Sequence, residues 1–196
     1  MSTPLAAPRV VVFAGPNGAG KSTHADAILA ELHIPTFVNA DYIARGLAGQ
    51  HTQTVALAAG RIMLNRLREL SEARADFAFE STLSSRSFHP FLLRLKSQGY
   101  HVAVYYFALS SSSLAIRRVK HRVALGGHDV PADVVKRRFG RSLHNFFQLY
   151  AGLADEWMVF DNSSGHTAQT VAYQTDGQSV IEDKTTWRKL HTLARS

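Results

Sequence analysis

Gly15-Pro-Asn-Gly-Ala-Gly-Lys-Ser22 stands directly behind the apolar run Arg9-Val-Val-Val-Phe-Ala14. The spacing G-x-x-x-x-G-K-[ST] after a strand-like run has a physical reason at each fixed position. Glycines at 15, 18 and 20 let the backbone take positive φ and turn its N–H groups around phosphate oxygens. Lys21 supplies a point charge for β- and γ-phosphates, and the Ser22 hydroxyl suits Mg²⁺. A helix starting near Lys21 aims its positive end at the same anion. The phosphate-binding set is therefore Gly15, Pro16, Asn17, Gly18, Ala19, Gly20, Lys21, Ser22 and Thr23, and the expected ligand is ATP or GTP.

Working outward, strands and helices alternate along the chain. Strand-like runs lie at residues 10–14, 36–39, 77–80, 101–109 and 157–160. Helical patterns cover 22–32, 52–74, 84–98, 112–125 and 132–151, the second with Val55, Ala59, Ile62, Met63, Leu67 and Leu70 as one apolar stripe. Runs at 171–174 and 179–181 flank Thr175-Asp176-Gly177-Gln178, whose Asp-Gly is a favoured hairpin turn, and a short helix follows from about 185. The expected fold is a three-layer α/β phosphate-loop NTPase or kinase fold: a mostly parallel sheet with helices on both faces, plus a C-terminal β-hairpin. It reads as one domain over residues 1–196, with a core at about 9–162, lid-like helices at about 112–151, and a hairpin and helix at about 168–194.

The chain has 196 residues, 45% of them hydrophobic, so a buried core is within reach. With no cysteine, disulfides and thiolate metal sites are excluded, which suits a reducing cytoplasm. The start lacks the basic and apolar regions of a signal peptide, and no apolar stretch can span a bilayer. The net charge of +7 permits nucleic-acid binding, but the basic residues are scattered, and no aromatic interleaving marks a single-strand binding face. Charge therefore favours small anionic ligands.

Ligands of a parallel sheet sit at the carboxyl ends of its strands. Asp41 lies just past Phe37-Val38-Asn39-Ala40, and Glu80, Ser81 and Thr82 close Phe77-Ala78-Phe79. A kinase needs one carboxylate to orient the attacking hydroxyl and groups to hold the acceptor in line. Asp41 also reads as a helix N-cap, and Glu80 occupies the place of a magnesium-linked carboxylate. Arg118 and Arg122 share one helix face. Arg137, Arg141 and Asn145 recur on a polar face of the next helix, with Arg138 beside them. Around Gly126-Gly127 the two helices read as a lid, its glycines a hinge and its guanidinium groups neutralising phosphoryl charge. His128 reads equally as a phosphate contact or a turn residue. Residues 110–113 read as a helix-capping loop.

Taken together, Gly15 to Thr23, Val38-Asn39-Ala40-Asp41 and Phe79-Glu80-Ser81-Thr82-Leu83 resemble the zeta toxin family of P-loop kinases. The likeness spans roughly residues 9 to 162, and residues 118–145 resemble the smaller chromosomal members. It implies an ATP- and Mg²⁺-dependent kinase whose acceptor is the 3′-hydroxyl of the sugar in UDP-N-acetylglucosamine. By position it makes Asp41 the base, with Lys21 and Ser22 holding phosphates and Mg²⁺. Glu80 and Thr82 bind acceptor, together with Ser81 beside them, and Arg122 is the lid arginine on the γ-phosphate. A second family arginine falls near His128, a departure that leaves Arg137 or Arg138 to supply the charge unless stabilisation differs. A protein antitoxin is the implied partner. The residues also admit a kinase for a nucleoside, an antibiotic hydroxyl or a polynucleotide end, or a nucleotide-gated interaction module.

Overall fold

The computed structural model describes residues 7–47, 53–127, 129–165 and 167–195. Seven strands form one sheet in the order β2-β3-β1-β4-β5-β6-β7. They are β1 (Arg9–Ala14), β2 (Phe37–Val38), β3 (Phe77–Ser81), β4 (His101–Ala108), β5 (Glu156–Asp161), β6 (Gln169–Thr175) and β7 (Gln178–Ile181). The first five are parallel, while β6 and β7 add antiparallel at the edge. The helices are α1 (Lys21–Leu32), α2 (Ala40–Leu47), α3 (Gln53–Glu72), α4 (Phe88–Ser97), α5 (Ser112–Ala124), α6 (Ala132–Asn145) and α7 (Lys184–Arg195). No described helix is long and apolar enough to cross a membrane.

The unbroken apolar run of β1 reflects burial on both faces, as a strand flanked by two parallel neighbours requires. Val10, Val12 and Ala14 pack with Met63 and Leu67 of α3, Leu92 and Leu95 of α4 and Leu190 of α7. Val11 and Phe13 pack with Ala25 and Leu29 of α1 and Ala115 and Val119 of α5. The three expected layers follow from this alternation. Helix α6 joins both, with Val135 and Phe139 in one and Leu143 in the other, so it reaches from one layer to the other. Just beyond it, Ala151 N–H donates to the Phe146 carbonyl five residues back (2.9 Å), and residues Phe146–Tyr150 form a π-helical turn where a continuous helix is expected.

The hairpin forms as read, with Asp176 (φ 49°) and Gly177 (φ 73°) both left-handed. Three expectations are corrected. Helix α4 starts at Phe88 and not at 84, because serine and threonine hydroxyls take the backbone N–H groups of Leu83, Ser84 and Ser87. Ile62 is exposed, outside the α3 stripe that Ala59, Met63, Leu67 and Leu70 bury. Asn145 is buried, and its Nδ2 donates to the Leu83 carbonyl at 2.7 Å, so it does not share a polar face with Arg137 and Arg141. The capping loop is borne out: Ser111 Oγ accepts from Leu114 N–H at the start of α5.

Gly126 and Gly127 stop α5. Gly126 is left-handed (φ 83°), its N–H donates to the Val123 carbonyl (2.9 Å), and Gly127 N–H donates to that of Arg122 (2.9 Å). This 5→2 and 6→1 pair is a Schellman motif, which satisfies the last carbonyls of the helix.

Helix α7 closes the sheet with rings. Trp187 stacks on Trp157 (5.7 Å, 6°), and the His191 ring lies 4.0 Å from that of Phe147. Burial, reinforced by the nearby Arg195 charge, lowers the His191 pKa. Between its folded value and the ordinary 6.5, the unfolded chain binds the proton that the folded chain refuses. Stability is therefore full above that window and falls as pH drops through it. Replacement by Gln is expected to flatten the fall of melting temperature between pH 7 and pH 5 relative to the natural chain.

Candidate functional site

The loop after β1 curls as its glycines demand. Gly15, Gly18 and Gly20 have φ of 135°, 76° and 83°. At Gly15 a Cβ would sit 2.3 Å from the Phe107 carbonyl oxygen, so any side chain would drive the loop off β4. Asn162, following β5, donates from Nδ2 to the Ala19 carbonyl (2.9 Å) and fixes the loop from the other side. Lys21 is 5% exposed, and its Nζ donates to the carbonyls of Gly15 (2.9 Å) and Pro16 (3.1 Å).

Glu80, at the end of β3, gathers the neighbouring elements. Its Oε2 accepts from Ser22 Oγ (2.6 Å) and Asn39 Nδ2 (2.9 Å), and its Oε1 lies 3.4 Å from Lys21 Nζ. The Oδ1 of the same Asn39 accepts from the backbone N–H groups of Asp41 (2.8 Å) and Tyr42 (3.3 Å). Asn39, not Asp41, is thus the cap of α2, and the Asp41 carboxylate is left to face the cleft. From the opposite wall, Arg122 Nη1 reaches to 3.6 Å of Asp41 Oδ2, an ion pair between half-exposed partners.

These groups line one cleft of about 800 Å³. Among the expected site residues, Asn17, Gly18, Gly20, Lys21, Ser22, Thr23, Asp41, Glu80, Ser81, Thr82, Arg118, Arg122 and Arg138 border it. Gly15, Pro16 and Ala19 lie behind the loop surface, and Pro16 and Ala19 contribute carbonyls to the contacts just given. Arg137 is exposed and does not border the cleft, so of the two candidate arginines α6 brings Arg138 to it. His128 lies outside the described residues. Arg118 donates to the Ser163 carbonyl (3.1 Å) and makes a long 3.5 Å contact to that of Gly18, tying α5 to the loop.

Residue-by-residue reading missed Asn39 as an orienting group. Its signal was there: an Asn at the strand-to-helix junction, two residues before the carboxylate. Tyr42, Arg45, Gly60, Met63, Leu64, Phe88, His121 and Leu125 also border the cleft. They carry no motif, and only packing brings them there.

The donor set suits Mg²⁺. A hydroxyl and a carboxylate, Ser22 and Glu80, meet at 2.6 Å, both hard oxygen donors. Among the described residues no three His, Cys, Asp or Glu side chains cluster as a metal cage. A cation held by one or two protein oxygens and substrate phosphates fits this set better than an all-protein site. Asn17 Oδ1 is buried in the loop without a hydrogen bond among the described residues, an acceptor that a hydroxyl or amine donor, not a phosphate oxygen, would satisfy.

An uncharacterised protein of Haemophilus influenzae is 28% identical over 135 residues, which are 67% of this chain and 92% of that one. The AvrRxo1-ORF1:AvrRxo1-ORF2 structure with sulphate ions superposes with a TM-score of 0.74 at 18% identity, covering 94% of this chain and 63% of its own. This chain thus spans less than two thirds of that one's length. The PezAT chromosomal toxin–antitoxin system of Streptococcus pneumoniae superposes at 0.63 with 13% identity, covering 99% and 87%. These structural likenesses establish the fold. The model of the family described as zeta toxin matches residues 2–186, nearly the whole chain, and the chain belongs to the zeta toxin family of P-loop kinases.

Proposed function

We propose that this chain transfers the γ-phosphoryl group of ATP to a hydroxyl of a small anionic acceptor, and that the 3′-hydroxyl of the sugar in UDP-N-acetylglucosamine is that acceptor. The observation that carries the reading is the Asn39–Glu80 bridge, which sets the Asp41 carboxylate in the same cleft as Lys21 and Ser22.

In this reading the loop N–H groups and Lys21 hold the β- and γ-phosphates, and Arg118 lies beside the nucleotide. Ser22, with Glu80 next to it, would hold Mg²⁺, which when bound would neutralise phosphate charge. Asp41 orients the acceptor hydroxyl and takes its proton. The oxygen–phosphorus bond to the acceptor forms as the bond to the β–γ bridging oxygen breaks, leaving ADP. Arg122 and Arg138 offset charge on the transferred group. At the acceptor end Ser81, Thr82 and Arg45 offer polar contacts, and Gly60, Met63, Leu64 and Phe88 an apolar wall. His128 remains a candidate acceptor contact, on the strength of its place in the chain alone. ATP in preference to GTP rests on the family likeness. A protein antitoxin is the partner class the reading implies.

Incubation with labelled ATP, Mg²⁺ and UDP-N-acetylglucosamine is expected to give a singly phosphorylated nucleotide sugar, resolved by mass spectrometry. Phosphorylation of a nucleoside or an oligonucleotide end with no transfer to the nucleotide sugar would replace that acceptor by the other. Lys21→Ala is expected to cut turnover by about 10²–10³-fold while the circular-dichroism spectrum stays native. Asp41→Asn should still bind ATP but lose about 10²–10⁴-fold in transfer, and full transfer would remove Asp41 from its role. For Glu80→Gln the Mg²⁺ concentration at half-maximal turnover is expected to rise about tenfold with the acceptor KM little changed, since a charged oxygen beside the cation is lost. The opposite pattern would move Glu80 to the acceptor side.

A further inference from the structure

The end of α5 contains a notch whose shape matches one side chain. A Cβ built on Gly127 would lie 2.6 Å from Arg122 Cγ, 3.2 Å from Arg122 Cδ and 2.9 Å from the Arg122 carbonyl oxygen. Gly127 has no left-handed φ, so its φ does not itself require glycine. What opposes a side chain there is Arg122 itself, through its carbonyl oxygen and through its stem, which lies back over the helix stop where a side chain would otherwise be. Gly126 is the contrast: left-handed, with open space where its Cβ would go. The two glycines therefore do different work. The first turns the chain, and the second makes room.

We propose that Gly127 is a positioning residue for Arg122: the absence of a side chain at 127 sets the guanidinium on the course that carries it across the cleft toward Asp41. This rests on the reading of Arg122 as a γ-phosphate ligand. Two restraints then act on one residue. The 6→1 hydrogen bond from Gly127 N–H holds the Arg122 carbonyl, and the notch holds its Cγ and Cδ. A long, rotamer-rich side chain is thereby aimed before phosphate arrives, which lowers the ordering cost of gripping it.

The test compares affinities, by calorimetry with Mg²⁺, for ADP and for an ATP analogue with an imido bridge between the β- and γ-phosphates. Their ratio reads the γ-phosphate alone, whereas a merely structural role shifts both affinities together. Gly127→Ala is expected to lower the preference for the triphosphate by about tenfold, the size of one charge-assisted hydrogen bond. Arg122→Ala should do the same, and the double variant should fall no further. Gly126→Asn, which changes the helix stop without entering the space of Arg122, should keep the ratio. Should Gly127→Ala unfold the chain, the double variant is expected to regain part of the stability, because the Cγ and Cδ conflicts are gone while the 2.9 Å approach to the Arg122 carbonyl oxygen stays. A Gly127→Ala ratio within twofold of the natural chain, or no rescue of stability in the double variant, would overturn the proposal. If Arg122→Ala keeps the ratio, the γ-phosphate role of Arg122 falls, and the proposal falls with it. Lys21→Ala then separates that outcome from failure of the kinase reading, since loss of both affinities there still marks a nucleotide-binding loop.

Discussion

The Glu80 carboxylate is the contact on which the site depends. It accepts from the Ser22 hydroxyl and the Asn39 amide and faces the Lys21 ammonium, so one side chain at the tip of β3 joins the phosphate loop, α1 and the start of α2. Because Asn39 spends its other amide atom capping α2, the position of Asp41 is set through two hydrogen bonds from Glu80. The network is mostly shielded from water, where hydrogen bonds to an ionised group are shorter and stronger than neutral ones. The parallel register of β3 against β1 makes it possible: Glu80 pairs with Phe13 and Ser81 with Ala14, so the carboxylate emerges level with the start of the loop.

The far side of the cleft is held by backbone that sequence alone does not reveal. Leu83 takes φ of 51°, which costs a bulky residue about 1–3 kcal/mol and persists only where its surroundings determine it. Those surroundings are the Ser81 hydroxyl on its N–H and Asn145 on its carbonyl. The Asn145 contact matters for the site as a whole. It ties the turn that follows Glu80, Ser81 and Thr82 to α6, the helix that carries Arg138, so β3 and one cleft-lining arginine share a rigid link.

Much of this was legible in the chain. The phosphate loop, the strand-end carboxylates and the strand–helix alternation are local patterns, and the structure places them as read. Asn145 was misread because helical spacing says which residues share a face, not whether a strained carbonyl waits inside. Ile62 fits the periodicity of α3, yet the buried face of that helix is narrower than the stripe. The serines of residues 84–87 look compatible with a helix start, but four hydroxyl-bearing residues in six compete for backbone N–H groups, and the helix waits until Phe88. Arg137 and Arg138 were indistinguishable by charge, and only the rotation of α6 separates them.

The facing pair of Asp41 and Arg122 bears on how such a site would act. Half-exposed ion pairs of this kind contribute about 0–1 kcal/mol, so the contact is readily exchanged when a more highly charged partner enters the cleft. A phosphoryl group carries more charge than one carboxylate and offers a guanidinium bidentate geometry. On the proposed reading, the arginine would therefore leave Asp41 for the phosphate at little cost, freeing the carboxylate as the phosphoryl group arrives. On the same reading, the acceptor proton departs late in a loose transition state, so the carboxylate would be needed first to aim the hydroxyl and only afterwards to receive its proton. A carboxylate fixed by a capped helix and a bridging carboxyl suits that order of demands: its direction is settled by backbone and amide hydrogen bonds, and its partner by whichever charge is nearest.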